Sequence, residues 1–231
     1  MEIDILRDET RGKLFFLINK GIGKFNSLKK ELGLRSNELT YHLKKLASSG
    51  LIEKTESGYA LTEEGKDMFP FRKIVTKKEI PAMAVTATAI IKNGKVFLRI
   101  KDNEPMKGSL ILFGGTIRRG EDVFTSATRK AKEQCNSDIK NLKLRGISDT
   151  TYTGKGKMKQ HWLVYVFTAE PVNEPSDGKW HSLKKLPYNI FLDDYYFLKH
   201  LIYNKKLKYY QMTYDESQGS RGKMKVIRIS Q

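Results

Sequence analysis

The sequence predicts a mixed α+β chain in two units: a small helical unit closed by a two-stranded hairpin, then a layered α/β unit around a mixed sheet. Three observations predict this. Between Asp8 and Leu46 apolar residues recur at helical spacing and are interrupted by glycines. From Ala82 onward, runs rich in Val, Ile and Thr alternate with two helical stretches. A polar, basic segment punctuated by Pro81 separates the two patterns. The expected organisation is a first domain over 1–70, a linker over 71–80, a second domain over 81–204 and a basic extension over 205–231.

In the first domain Leu14, Phe15, Leu17 and Ile18 mark a helix from Asp8 to about Lys20, with Asp8 or Thr10 as N-cap and Gly21 and Gly23 as its stop. A short helix from about Asn26 to Leu32 ends at Gly33. A third opens at Ser36, read as its cap. Leu39, Leu43 and Leu46 share one face of that helix, while Ser36, Asn37, Thr40, Tyr41, Lys44 and Lys45 fall largely on the other. Hydrogen-bonding groups mixed with cations suit base edges beside phosphates. His42, at the edge of the leucine face, reads as a half-buried structural residue. Leu51 to Lys54 and Tyr59 to Thr62 flank the turn Ser57-Gly58, and Glu63 to Phe69 adds a last short helix.

Helix, helix, turn, helix and hairpin in this order resemble the winged-helix regulators of bacteria and archaea. The resemblance rests on Leu39-Thr40-Tyr41-His42-Leu43-Lys44-Lys45-Leu46, Gly50-Leu51-Ile52 and Gly58-Tyr59-Ala60-Leu61-Thr62-Glu63-Glu64-Gly65. It implies that the third helix enters the major groove of double-stranded DNA and the hairpin tip touches the backbone or minor groove. The DNA-contacting residues are then Arg35, Ser36, Asn37, Thr40, Tyr41, Lys44, Lys45, Lys54 and Ser57. A protein-interaction module is the alternative.

Composition narrows the classes. The chain has 231 residues, 39% of them hydrophobic and 10% aromatic, enough to fill folded cores. No apolar run approaches the roughly 20 residues of a membrane span. The start, Met1 to Ile5, is too acidic and too short in apolar length for a signal peptide, and Cys135 is the only cysteine. A cytoplasmic protein is expected. The net charge of +17 is spread over both halves and suits polyanionic partners, although a lysine-rich proteome would give the same balance.

In the second domain Ala82 to Ile91 reads as a buried strand, Asn93-Gly94 as a hairpin turn and Lys95 to Ile100 as the return strand. Leu110 to Phe113 is a short strand running into Gly114-Gly115, followed by a helix from about Asp122 to Cys135. Strands at Leu142 to Ile147 and His161 to Ala169, then a helix from Asp193 to Tyr203, complete it. Trp162, Tyr165 and Phe167 read as core. Gly154-Lys155-Gly156-Lys157 lacks the spacing of a phosphate-binding P-loop and reads as a basic hairpin tip. Met224, Val226, Ile227 and Ile229, set among Arg221, Lys223, Lys225 and Arg228, read as a basic strand.

Gly114-Gly115-Thr116-Ile117-Arg118-Arg119-Gly120-Glu121, continued by Arg129-Lys130-Ala131-Lys132-Glu133-Gln134, resembles the signature of the Nudix hydrolases, over roughly Ala82 to Tyr203. In that signature a glycine, five residues, a glutamate and seven residues precede Arg-Glu, an apolar residue, any residue, Glu-Glu, any residue and glycine. Gly115, Glu121, Arg129, Ala131 and Glu133 fall in their places; Lys130, Gln134 and Asn136 replace two glutamates and the final glycine. The resemblance implies an α/β/α sandwich, and carboxylates on one helix face holding divalent cations over a diphosphate. An ammonium and an amide on that face predict poor magnesium binding and lost hydrolysis. The expectation is therefore no catalytic residues, no metal and no cofactor.

Gly114, Gly115, Arg118, Arg119, Glu121, Arg129, Lys130 and Glu133 are then candidates for binding a nucleoside-diphosphate-like effector, with Lys130 in place of a metal's charge or simply paired with Glu133 or Gln134. Nudix-related repressors show that the fold can be put to sensing, although their winged helix commonly follows the Nudix domain. The leading expectation is a homodimeric DNA-binding transcription regulator. The alternative is a weakly active Nudix diphosphate hydrolase whose winged helix serves recruitment or dimerisation, with Glu121, Glu133 and a carboxylate such as Asp149 retaining some metal binding.

Overall fold

A computed structural model describes residues 3–71, 81–103, 107–154, 157–215 and 224–230, with the side chains of 224–230 not included. The expected linker, apart from Phe71, lies outside these residues, as do Lys155, Gly156, Arg221 and Lys223. The chain divides into two compact units, Met1–Pro81 and Ala82–Gln231.

The first unit contains α1 (Glu9–Asn19), α2 (Phe25–Leu32), α3 (Ser36–Ser48), the hairpin β1 (Ile52–Thr55) and β2 (Gly58–Leu61), and α4 (Glu63–Met68). Asp8 caps α1, its carboxylate accepting the Arg11 N–H at 2.9 Å. Gly33 ends α2 in the left-handed conformation, with φ 64°. The cap of α3 is Arg35, not the expected Ser36: Ser36 already lies within the helix, and no side chain caps that end. Leu14, Phe15, Leu28, Leu39, Leu43 and Leu46 are buried together, which confines the polar face of α3 to the outside.

The second unit is built on a mixed sheet of β3 (Met83–Lys92), β4 (Lys95–Ile100), β5 (Leu110–Ile111), β6 (Phe113–Thr116), β7 (Ile139–Gly154), β8 (Lys157–Pro171), β9 (Lys179–Ser182), β10 (Lys208–Asp215) and β11 (Met224–Ser230). Its main order is β11-β10-β7-β8-β3-β4-β5, with β6 on β3 and β9 on β4. The β3–β8 and β7–β10 pairs are parallel and the rest antiparallel. The stretch expected as an extension thus supplies two strands of the sheet. On one face α5 (Val123–Cys135) packs Ala131 and Cys135 against Ile90, Phe97 and Phe113. On the other, α6 (Leu192–Tyr196) and the π-helical turn Phe197–Leu201 cover Val85, Ala87, Val164 and Val166.

Several expected boundaries shift, each for a local reason. The strand expected over Leu110 to Phe113 is broken at Leu112, whose N–H donates to the Asp194 carboxylate at 2.8 Å instead of to a neighbouring strand. The strands expected at 142–147 and 161–169 extend into the long β7–β8 ladder, because their polar residues pair across it as well as their apolar ones. Trp162 lies on the face of Val164, while Phe167 packs on the opposite face against Phe124, 5.1 Å between ring centroids. No helix among the described residues is long and apolar enough to cross a membrane.

Gly65 illustrates how backbone contact overrides helix propensity. A Cβ there would collide with the Leu51 carbonyl oxygen. Gly65→Ala, which alone should favour α4 by up to about 1 kcal/mol, is therefore expected to lower stability by about 1–3 kcal/mol through overpacking. Urea denaturation checks this, and an unchanged midpoint would refute it.

Candidate functional site

The end of β6 and the start of α5 are joined by the loop carrying Ile117 to Asp122, and their side chains form one connected network. Asp122 caps α5, accepting from the N–H groups of Phe124 at 2.8 Å and Thr125 at 3.1 Å. The Thr125 hydroxyl and these amides hold its carboxyl below the usual range. At the other end Asn136 takes the left-handed C-cap, with φ 50°, a place open to glycine or asparagine. That explains why asparagine can stand at the last glycine of the signature.

Glu121 receives a two-pronged ion pair from Arg129, Nε to Oε1 at 2.6 Å and Nη2 to Oε2 at 2.7 Å. It also accepts the Arg118 N–H at 2.9 Å. Arg129 is the main reason its carboxyl falls to about 2. Glu121 therefore ties the loop to the helix and does more than complement a helix terminus. Glu133 is surrounded by cations: Arg118 Nη2 at 3.0 Å, Arg129 Nη1 at 3.1 Å and Lys130 Nζ at 3.2 Å. Lys130 first, then Arg129, lowers its pKa. Gln134 turns inward, its Nε2 donating to the Gly114 carbonyl at 2.9 Å and its Oε1 accepting the Gly114 N–H at 3.0 Å.

These residues do not fit a divalent cation. Both carboxylates are held by guanidinium or ammonium groups, and the Gln134 oxygen is already an acceptor. Among the described residues no group of three or more His, Cys, Asp or Glu side chains could hold a metal ion. Asp149, considered as an auxiliary ligand, is bonded to His161 at 2.6 Å and to the Tyr209 hydroxyl at 2.5 Å. The arrangement instead suits an anion. Arg118 is 65% exposed in its side chain, and the stem of Lys130 lies beside Gly115. Arg119 is exposed, whereas Arg129 is 16% exposed and held between the carboxylates.

Beside Gly114 and Gly115 opens a cavity of about 400 Å³, which sequence reasoning missed. Tyr152, Trp162, Phe191, Asp193 and Asp194 help to line it. Asp193 accepts from the Tyr152 hydroxyl at 2.5 Å through Oδ2, while its buried Oδ1 has no partner among the described residues, nor does the buried Nε of Arg99, another lining residue. Burial raises Asp193 to about 6 and Asp194 to about 7. In the sequence the pair falls only at the start of an expected helix; nothing local reports that the sheet buries it.

The candidate DNA-contacting residues are all exposed: Arg35, Ser36, Asn37, Thr40, Tyr41, Lys44 and Lys45 on or beside α3, and Lys54 and Ser57 on the hairpin. Lys45 Nζ lies 5.9 Å from the centre of the Tyr41 ring, and Thr40 donates to the Ser36 carbonyl. His42 sits 3.7 Å from Asp8 and is largely covered. Cys135 is buried, bonded to the Ala131 carbonyl, and burial raises its thiol to about 11.

Residues 82–201 match the family described as NUDIX domain, and the chain belongs to that family. Among solved structures it is similar to the mutator MutT protein from Bacillus halodurans, at 20% identity and a TM-score of 0.50 over 64% of this chain and 96% of that one. It is also similar to the MutT NUDIX hydrolase from Burkholderia pseudomallei, at 20% identity and a TM-score of 0.46 over 53% and 99%. A NUDIX hydrolase from Nitrosomonas europaea matches at 13% identity and a TM-score of 0.45 over 59% and 81%. The first of these likenesses, at 20% identity and a TM-score of 0.50, is one of fold. No curated protein matches the chain. The expectation of a DNA-binding regulator gains no support from these matches.

The buried acids make stability depend on pH. Their folded pKa values lie above the ordinary 3.8, so their contribution is full below that value and is lost as pH rises through about 6 and 7. Asp194→Asn keeps an acceptor for the Leu112 N–H and removes one ionisation. Between about pH 5 and about pH 8 the wild type is expected to lose more thermal stability than the variant. Parallel melting curves would contradict the assignment.

Proposed function

We propose that the second unit binds a nucleoside-diphosphate-like ligand without a metal ion, and that hydrolysis is lost or slow. One observation carries this reading: the helix face expected to hold cations through carboxylates carries instead Lys130, a cation-ringed Glu133 and an inward-turned Gln134. Arg118, Lys130 and the loop amides supply phosphate partners. The adjoining cavity accepts hydrogen bonds through Asp193 and stacks a planar group near Trp162. Burial keeps part of the acid pair protonated near neutral pH, so it can donate as well as accept. A nucleobase carrying both donors and acceptors suits it.

Calorimetry with ADP-ribose, NAD and sugar nucleotides, in EDTA and in magnesium, tests the binding. Binding is expected to persist in EDTA and to weaken about tenfold in Lys130→Ala or Arg118→Ala, the worth of one charge-assisted hydrogen bond. Silence from every diphosphate would overturn it.

We further propose that the first unit is a winged helix that reads double-stranded DNA as a homodimer, making the chain a ligand-responsive regulator. The polar face of α3 supports this, since its exposed residues combine Asn37 and Tyr41 with Lys44 and Lys45. Tyr41→Ala or Asn37→Ala should weaken binding to a selected site by about 1–3 kcal/mol, and Lys44→Ala should weaken all sequences alike. Equal losses on random DNA from all three would mean that this helix reads no sequence.

A second reading, a weakly active Nudix diphosphate hydrolase whose first unit serves recruitment or dimerisation, is the one family membership favours. Glu121 and Glu133, kept at their signature positions, are the observation behind it. Phosphate or nucleoside monophosphate released with magnesium or manganese, and abolished in Glu133→Gln, would establish it over the sensor.

A further inference from the structure

The face of the sheet that carries the Asp193 cavity carries a second cavity at the opposite end of the same strands. The first is lined by Val85 and Ala87 of β3 and by Trp162 and Val164 of β8; the second is lined by Ile91 and Lys92, and by Thr168 to Pro171. Six residue steps along extended β3, from Thr86 to Lys92, place them roughly 20 Å apart. Phe197 borders one and Ile202 the other, so the C-terminal helical segment lies between them. The second cavity measures about 580 Å³.

Its chemistry is that of an anion site with an apolar floor. Ile91, Ala169, Leu183 and Ile202 form the floor, while Lys140, Lys143, Arg145 and Lys92, itself paired with Glu174 at 3.2 Å, share the lining with a single acid, Glu170. The side chains of Lys140 and Lys143 are exposed and make no hydrogen bond or ion pair among the described residues. Arg145 is held in place, Nε donating to the Thr168 hydroxyl at 2.8 Å and Nη1 to the Asn204 carbonyl at 3.1 Å. The Asn204 amide returns a bond to the Arg145 carbonyl and another to the Tyr210 hydroxyl. Next to Asn204 stand Tyr203, 61% exposed, and the exposed cations Lys205 and Lys206.

We propose that this cleft binds the backbone of a single-stranded nucleic acid, with one base laid against Tyr203. The cations continue past the cavity to Lys205 and Lys206, further than a small phosphorylated compound would use. An exposed ring beside a concave apolar floor takes an unpaired base, whereas a duplex keeps its base faces stacked internally. The site rests on neither the diphosphate ligand nor the DNA-reading face of α3.

The test is fluorescence anisotropy of the full chain with a labelled mixed-sequence single strand of about 12 nucleotides, a length within the span of single-strand grooves. Lys140→Ala with Lys143→Ala is expected to weaken binding at least tenfold and to flatten the log–log salt slope by about 1.4, for two phosphates at about 0.7 each. Tyr203→Ala should cost at least fivefold and Tyr203→Phe should restore wild-type affinity, as stacking requires. In a background carrying Lys44→Ala with Lys45→Ala, the Lys140 and Lys143 substitutions should weaken single-strand binding by the same factor, which separates this site from α3. All these positions are exposed, and melting curves matching the wild type establish that the variants fold. Unchanged affinity in the Lys140 and Lys143 double variant, or a loss that disappears in the Lys44 and Lys45 background, would overturn the proposal. So would displacement by AMP at equal phosphate concentration, which would assign the cleft to small anions, or a duplex bound more tightly through the same residues.

Discussion

The side-chain amide of Gln134 closes a ring of two hydrogen bonds on the backbone of Gly114, and the geometry of the loop follows from that closure. It joins the last turns of α5 to β6, so the chain between them must leave and return at fixed points. Gly114 has no room for a side chain, since a Cβ would meet the Thr86 carbonyl oxygen. A carboxylate at 134 could accept from the Gly114 N–H but could not donate to its carbonyl, leaving two acceptors opposed. The amide is therefore a structural solution that removes a metal ligand as a consequence.

With that end fixed, the charge arrangement of the rest becomes interpretable. Arg118, Arg129 and Lys130 surround two carboxylates, leaving an excess of one positive charge within this group. Arg129 is the internal member, joining Glu121 to Glu133 and so the loop to the helix. Arg118 and Lys130 stand at the outside, beside the glycines. A short distance away Asp193 and Asp194 show the opposite tendency, as acids that burial makes reluctant to ionise. Excess positive charge lies over the loop, and acids that burial holds towards the protonated form lie within the cavity beside it.

Much of the fold was legible because it rests on local rules. Asp8 and Asp122 cap their helices through side-chain oxygens, and Asn93-Gly94 turns β3 into β4. The leucines of α3 face inward as their spacing requires. Two misreadings share one cause, which is that hydrogen-bond partners came from far along the chain. Leu112 left the strand ladder for Asp194, whereas the polar ends of β7 and β8 simply paired with each other beyond their apolar stretches. Residues 208–215 joined the sheet through β7, more than fifty residues earlier in the chain, and the strand expected around 224–229 pairs with them.

The same division holds for the site. The resemblance to the family signature located Gly115, Glu121, Arg129 and Glu133 and showed an ammonium and an amide at places for acids, while periodicity set Lys130, Glu133 and Gln134 on one helix face. What Gln134 does with its amide, that Glu133 is ringed by three cations, and that Asp193 and Asp194 are buried beside the glycines depended on tertiary structure. Charge type and helical phase are properties of a short segment. Burial and the choice of hydrogen-bond partner depend on which distant strands arrive, and only the folded chain decides that.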